Sequence, residues 1–402
     1  MLTQAQRDIV KSCVPALKAH GLTLTKNFYG RMFKANPELK HLFNMSHQAT
    51  GEQQQALALA VLGYAENIDD TSVLAPVIRV ITAKHVSMGI RAEHYPIVGR
   101  HLLAAIAEVM GDAATAEVLE AWGAAYAQLA DILIEAEQAL FTHAATTKGG
   151  WSGWRPFRVI KVVRESSEIA SFYLKPTDDG LLPPFEPGQF VSVRTVDETG
   201  MTRIRQYSLS DAPHQDYLRL TVKRQDGSED APAGIVSTAF HIDVNEGDLI
   251  ELSFPQGHFV VDQEKDTPLV LLSGGVGITP MLGILGHIAK EQPGRSIHFA
   301  HAARNRDVQA MNDWLRAMAA RHDKLDVEIY YEEVGTADVV GRHYDKQGRI
   351  DAGQIAAQNH LADADYYICG PRGFMSAQID SLKRVGIPDS RIHAEFFGAS
   401  FG

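Results

Sequence analysis

Cysteine is nearly absent from this 402-residue chain: only Cys13 and Cys369 occur. Far apart and in no CxxC-type pair, they exclude a disulfide framework and a cysteine-based zinc site, and they fit a reducing, cytoplasmic setting. Positive charge is also short. Lys and Arg number 38 against 49 Asp and Glu, a net charge of −11, which argues against a nucleic-acid partner while leaving room for local phosphate pockets. The first residues, MLTQAQRDIV, carry no basic-then-apolar leader pattern. One run, Thr267 to Ala289, has no Asp, Glu, Lys or Arg, but SGGVGITP interrupts it. A membrane span would want continuous apolar surface, so the run reads as a buried strand, a glycine turn and a helix, and no membrane span is expected. Glycine and proline are scarce in one region only. Residues 1–147 hold 8 of 33 glycines and 4 of 17 prolines.

What is present divides the chain into more than one domain, as its length also suggests. Residues 1–147 have helical periodicity, with helices predicted over 3–20, 22–35, 37–43, 52–67, 72–88, 94–110 and 113–142. Pro37, Pro76 and Pro96 fall near helix starts, where a missing N–H costs little. TTKGGWSG, Thr146 to Gly153, then contains a linker over residues 148–153. Over 154–262, alternating segments such as QFVSVRT and YLRLTVKR lie between turns such as EPG and NEGD, the pattern of an antiparallel β-barrel. Over 263–402, the apolar strands PLVLLS, SIHFAHA, VEIYYEE and DYYICG alternate with helical stretches, the pattern of a parallel α/β domain. The fold class is therefore multidomain: all-α, then antiparallel β-barrel, then α/β parallel sheet.

Two residues of the helical part stand out. His85 shares a helical face with Ile78, Ile81 and Met88, so it is either a satisfied core histidine or a ligand. Glu137 lies at three- and four-residue spacing from Leu133, Ile134, Leu140 and Phe141, which would bury a carboxylate in need of partners. With Tyr95 as a third member, the set suggests an imidazole that binds a metal through one nitrogen and donates from the other. Residues 1–147 resemble a globin through the blocks NFYGRMF, PELKHLFNMS, GEQQQALALAV, ITAKHVSMGI and EHYPIVGRHLLAAI. That resemblance implies haem b with His85 as proximal ligand, Phe43 against the haem face, and Tyr29 and Gln53 on the distal side. Tyr29 can also be read as a core aromatic between Thr25, Met32 and Phe33.

The second part carries RQYSLS from Arg205, with Gln206, Tyr207 and Ser208, and GIVS from Gly234 through Val236 to Ser237. These resemble the FAD motifs of ferredoxin–NADP reductase-like flavoproteins. In that family the arginine meets the pyrophosphate, the tyrosine and serine meet the flavin ring, and backbone N–H groups at a helix start cradle the same pyrophosphate. Gly234 as a turn glycine and Ser237 as a helix cap is the plainer alternative. Phe190 stands where the family often has tyrosine, keeping an aromatic face without the hydroxyl. GGVGITP follows, with Gly274, Gly275, Val276, Gly277, Ile278 and Thr279 between a strand and a helix. ICGPRGFM brings Cys369, Gly370 and Pro371, which the resemblance sets beside the nicotinamide, although a lone cysteine is often a plain buried thiol. The terminal EFFGA comprises Glu395, Phe396, Phe397, Gly398 and Ala399 and is similar to the family's flavin-contacting tail. Lys84, next to His85, and Glu395 are expected where haem and flavin domains meet.

In this order the motifs resemble the flavohaemoglobins, the bacterial and fungal nitric oxide dioxygenases. The resemblance implies conversion of nitric oxide and dioxygen to nitrate, with electrons passing from NADH or NADPH through FAD to haem and no obligatory protein partner. Two other functions stay open: an oxygen carrier or sensor whose reductase keeps iron ferrous, and a reductase for an external acceptor. Arg304 in HAARN is compatible with either NADH or NADPH.

Overall fold

The computed structural model describes residues 2–43, 45–227 and 233–398, so Ala399 lies outside the described residues. The first unit is helical: α1 (Gln4–Ser12), α2 (Val14–Ala35), α3 (Met45–Thr50), α4 (Glu52–Glu66), α5 (Ala75–Met88), α6 (Tyr95–Met110) and α7 (Ala116–Thr146). A capping box opens α1, where Thr3 accepts from Gln6 N and the Gln6 side chain accepts from Thr3 N. Prolines stand in the first turns of α2, α5 and α6, as their missing N–H allows.

The expected break near residue 21 is corrected: the helices part at Cys13. Pro15 has no N–H to bond back to residue 11, so the helix restarts there. Gly21 instead lies inside α2, where an added Cβ would touch Ala58 at 3.5 Å on α4. Leu17, Leu24, Phe28 and Met32 recur along α2 at helical spacing and pack with Tyr64, Leu102, Ile106 and Trp122. Each such burial contributes roughly 1.5–3 kcal/mol relative to exposure.

The antiparallel sheet comprises β1 (Arg155–Arg164), β2 (Ile169–Pro176), β3 (Phe190–Val196), β4 (Thr202–Ser208), β5 (Leu218–Lys223) and β6 (Leu249–Leu252), in the order β4-β3-β6-β1-β2-β5. Leu209, just past β4, bridges Leu220 on β5, so the two edge strands meet and the sheet closes as a barrel. Inward residues alternate with outward ones on β1: Phe157 and Val159 are buried and Arg158 is exposed. Helix α8 (Ile235–Ile242) plugs one side, with Phe240 edge-on to Phe172 at 4.8 Å.

The last part alternates β7 (Leu269–Gly274), α9 (Ile278–Glu291), β8 (Ile297–Ala303), α10 (Asn312–Ala319), β9 (Leu325–Tyr331), β10 (Lys346–Gln347), α11 (Ala352–Gln358), β11 (Asp365–Cys369), α12 (Arg372–Arg384) and β12 (Ile392–Glu395). The sheet runs β10-β9-β8-β7-β11-β12 with parallel pairs. All of β7 is buried because helices cover both faces. Leu269 and Leu271 pack with Met281 and Leu285 on one face, while Val270 and Leu272 pack with Met375 and Leu382 on the other. Thr267 to Ala289 is thus a strand, a glycine turn and a helix, and no single helix among the described residues is long and apolar enough to cross a membrane.

Two compact units divide the chain. Among the described residues, one contains those of 2–154 and 194–205 together with Gly398, and the other contains those of 155–193 and 206–397.

Candidate functional site

Three helices each deliver one residue of the histidine constellation. His85 lies in the last turn of α5, Tyr95 opens α6, and Glu137 projects from the middle of α7. Glu137 is 2% exposed. Its Oε1 accepts from the Tyr95 hydroxyl at 2.5 Å and lies 2.8 Å from His85 Nδ1. With the carboxylate acting as acceptor, Nδ1 carries the proton and Nε2 is the ring's remaining ligand atom. Burial, reinforced by the bond to Glu137, pushes the Tyr95 phenol well above its ordinary pKa, so it stays protonated and donates. Tyr126, which the sequence did not single out, fixes the start of α6: its hydroxyl donates to Tyr95 O at 2.7 Å, and its ring fills the space a Cβ on Gly99 would need.

On the α2 side, Tyr29 sits among aromatics, edge-on to Phe28 at 4.8 Å, stacked on Phe33 at 5.7 Å and edge-on to Phe43 at 5.8 Å. Burial raises its pKa, and a hydrogen bond with the Gln48 side chain opposes the shift only in part. Gln48 is the residue sequence reasoning missed. Its Nε2 donates to Gln53 Oε1 at 3.0 Å, and its own Oε1 accepts from Gln54 Nε2 at 2.8 Å. The only signal was the local density of amides in HQATGEQQQ.

Strand β4 carries the RQYS residues. Arg205 Nη1 donates to Ile204 O at 2.7 Å, and Gln206 Nε2 donates to Ser192 Oγ at 3.1 Å. Tyr207 leans on Phe240 at 5.5 Å, and Ser208 is buried. Gly234 precedes α8 as its N-cap, and Val236 is buried in that helix. The Ser237 hydroxyl donates to Gly234 O and accepts from Gln225 N, both at 3.2 Å, so it ties the start of α8 to the preceding loop; α8 has no side-chain cap, and the capping reading of Ser237 is corrected. Phe190 is buried beneath Gly257, where a Cβ would stand 3.0 Å from its ring.

GGVGIT and ICGP meet at one place. Strand order reverses direction between β7 and β11, and the C-terminal ends of those strands carry Gly274 and Cys369. Open α/β sheets bind ligands at such a switch point. The two turns approach so closely that a Cβ on Gly277 would lie 2.2 Å from Cys369 O, and one on Gly370 would lie 3.1 Å from Gly274 N. Gly275 adopts φ +52 with open space beside it. Ile278 begins α9, and Thr279 Oγ1 donates to Val276 O at 3.0 Å. Pro371 caps α12. The Cys369 thiol is fully buried and its pKa is raised, first by burial and then by Glu395, its cross-strand neighbour. Phe396 is half-buried and Phe397 exposed. Lys84 Nζ donates to Gly398 O at 2.9 Å.

Residues 26–133 match the globin family, and residues 271–380 match the oxidoreductase NAD-binding domain family. A flavohemoprotein of Chromobacterium violaceum is 52% identical over 403 residues, covering 100% of both chains. The crystal structure of a flavohemoglobin from Malassezia yamatoensis, with bound FAD and heme, superposes with a TM-score of 0.87 at 26% identity, covering 99% of this chain and 100% of that one. The flavohem-like FAD/NAD-binding domain of a Vibrio cholerae nitric oxide dioxygenase is 33% identical with a TM-score of 0.55, covering 61% of this chain and 98% of that one. The helical histidine constellation, closed barrel and switch-point sheet thus occur in one polypeptide, and the chain belongs to the flavohemoprotein family of NAD(P)H-dependent oxidoreductases.

Proposed function

We propose that this chain is a nitric oxide dioxygenase that oxidises nitric oxide to nitrate with dioxygen, drawing electrons from NADH or NADPH. The observation that carries the reading is the His85–Glu137–Tyr95 set, a buried carboxylate that orients an imidazole and strengthens it as an electron donor. Plain oxygen storage has no need of such a push, whereas oxygen activation does. The residues suit haem b and FAD: His85 has one nitrogen held and the other as a ligand atom, and Gly234 opens α8 where a Cβ would stand 2.6 Å from the Ser237 hydroxyl. When bound, haem iron supplies the oxygen chemistry, and FAD converts hydride delivery into single electrons.

His85 holds the iron and Phe43 packs against the haem face. Tyr29 and Gln53 donate hydrogen bonds into the distal pocket, where Gln48 aligns the Gln53 amide. Arg205 neutralises pyrophosphate charge, Tyr207 and Ser208 meet the flavin ring with Phe190 beneath, and residues 234–237 bring backbone N–H groups to the same pyrophosphate. Gln206 keeps β4 in place through Ser192. Residues 274–279 and Cys369 to Pro371 receive the nicotinamide nucleotide, and residues 395–398 cover the flavin. Lys84 and Glu395 favour electron passage to the haem. The working domains are 1–147, 154–262 and 263–402, and the two reduced, buried cysteines support a cytoplasmic setting. Dioxygen, nitric oxide and NAD(P)H suffice as partners.

The test counts nitric oxide consumed, nitrate formed and NAD(P)H oxidised in the same aerobic reaction. The expected stoichiometry is two molecules each of nitric oxide consumed and nitrate formed per NAD(P)H, since each nitric oxide needs one electron. Stable oxygen binding without nitrate formation would make the protein a carrier instead.

A further inference from the structure

At the end of the parallel sheet away from the switch point, three ligand-type side chains share one face of β8 and β9. They are His298, Asp326 and Glu328, with His298 and Asp326 directly opposed in register. His298 is 5% exposed, and its Nδ1 lies 2.9 Å from Asp326 Oδ2. A carboxylate oxygen is an acceptor, so the ring proton sits on Nδ1 and the lone pair on Nε2. That Nε2 is buried without a hydrogen-bond partner and lies 3.7 Å from Glu328 Oε2. Two electron-rich atoms therefore face each other across a gap too wide for a hydrogen bond. One tetrahedral zinc ion, at about 2.0–2.2 Å from nitrogen and oxygen ligands, separates such atoms by roughly 3.4 Å.

We propose that His298 Nε2 and the Glu328 carboxylate bind a zinc ion, with Asp326 holding the imidazole in the metal-ready tautomer. The donor set selects the metal class: imidazole with carboxylate suits zinc, whereas magnesium and calcium want oxygen alone. Glu328 is already oriented, since Tyr330 donates to its Oε2 at 2.7 Å and Lys346 to its Oε1 at 2.8 Å. The Lys346 side chain is 44% exposed and is free to swing toward solvent when a cation enters. Water completes the coordination. The ion clips β8 to β9 near their N-terminal ends, roughly 15 Å along the strands from the ends that face the nucleotide. It therefore stabilises the sheet without competing with NAD(P)H.

Calorimetric titration of the metal-stripped, full-length holoprotein with zinc chloride tests the site, read as the difference between wild type and Glu328→Gln. Wild type is expected to bind one more equivalent than the variant, or to bind that equivalent at least tenfold more tightly, and to melt at higher temperature with zinc but not with magnesium. His298→Asn, provided its haem and flavin contents are normal, should behave like Glu328→Gln; if it fails to fold, Glu328→Gln decides alone. Equal stoichiometry and affinity in wild type and Glu328→Gln overturn the proposal.

Discussion

Glu137 is almost wholly buried and so lacks water to satisfy it, and its two donors determine whether α7 can carry a carboxylate at that position. Hydrogen bonds to a charged group are each worth roughly 1.5–3 kcal/mol, enough to hold His85 in one orientation. Glu137→Gln preserves the shape and removes the charge. In the ferrous haem-loaded protein the iron–histidine stretching frequency, read by resonance Raman, is expected to fall; an unchanged frequency with His85 still bound would remove the electron push from the proposed function. On the other side of the helical core, Tyr29 stays protonated because burial disfavours its phenolate, which keeps it a donor at all working pH values. Tyr29→Phe should speed dioxygen release by about tenfold to a hundredfold, the equivalent of one hydrogen bond to a partly charged oxygen. Laser-flash or stopped-flow off-rates would check it, and an unaltered rate assigns Tyr29 to the aromatic cluster alone.

At the scale of the element, the turn after β7 shows that neighbouring glycines serve different needs. Gly277 is needed for closeness, because a Cβ would lie 2.2 Å from Cys369 O, a backbone atom that cannot step aside. Gly275 is needed for its dihedral, φ +52, with no neighbour in the way. Gly275→Ala is expected to cost about 1–2 kcal/mol, the usual left-handed penalty. Gly277→Ala should cost more than that, at or above the roughly 1–3 kcal/mol of ordinary overpacking, and should impair NAD(P)H-driven flavin reduction as well. Thermal melting of both variants ranks them, and the reverse order would contradict the close approach of the two turns. On the adjacent strand, burial pushes the His301 pKa down to about 4 from 6.5, with Ser273 Oγ 2.9 Å from its Nδ1. As pH falls, the unfolded chain takes up this proton first, so stability drops between about pH 6.5 and 4, by on the order of 3 kcal/mol in total. His301→Asn, which keeps an acceptor for Ser273, should show a shallower loss of melting temperature across that window. A slope equal to that of wild type would mean that other groups dominate acid unfolding.

For the whole molecule, the decisive property is that separate cores support separate chemistry. Phe28, Met32 and Trp122 belong to one apolar cluster, and Leu271, Phe299 and Tyr367 belong to another. A change confined to the first should leave the second folded. His85→Ala is accordingly expected to abolish stable haem binding while FAD content and NAD(P)H-driven reduction of an artificial acceptor remain near wild-type values. Absorption spectra of the purified variant give both cofactor contents at once. Normal haem content would overturn the ligand assignment, and loss of flavin as well would contradict the independence of the two cores.

The amino-acid order by itself determined the architecture, because each class of element leaves a periodic signature. Leu17, Leu24, Phe28 and Met32 announce a helix face, Phe157 and Val159 an alternating strand, and the unbroken apolar β7 a strand covered on both sides. Glu137 was also legible, since a carboxylate among Leu133, Ile134, Leu140 and Phe141 contradicts its own surroundings. Only the tertiary structure decided who meets whom. Gln48 has no periodic anomaly, and its amide matters only because folding carries it to Gln53 and Gln54. The break at Cys13 in place of residue 21 was a contest between Pro15 and Gly21, which close packing of α2 on α4 settles by keeping the glycine inside a helix. His298 and Glu328 lie thirty residues apart and acquire meaning only when β8 and β9 pair in parallel. Periodicity is a property of a segment and is written in its residues, whereas a site is a property of several segments and exists only once hydrogen bonding and packing have fixed their register.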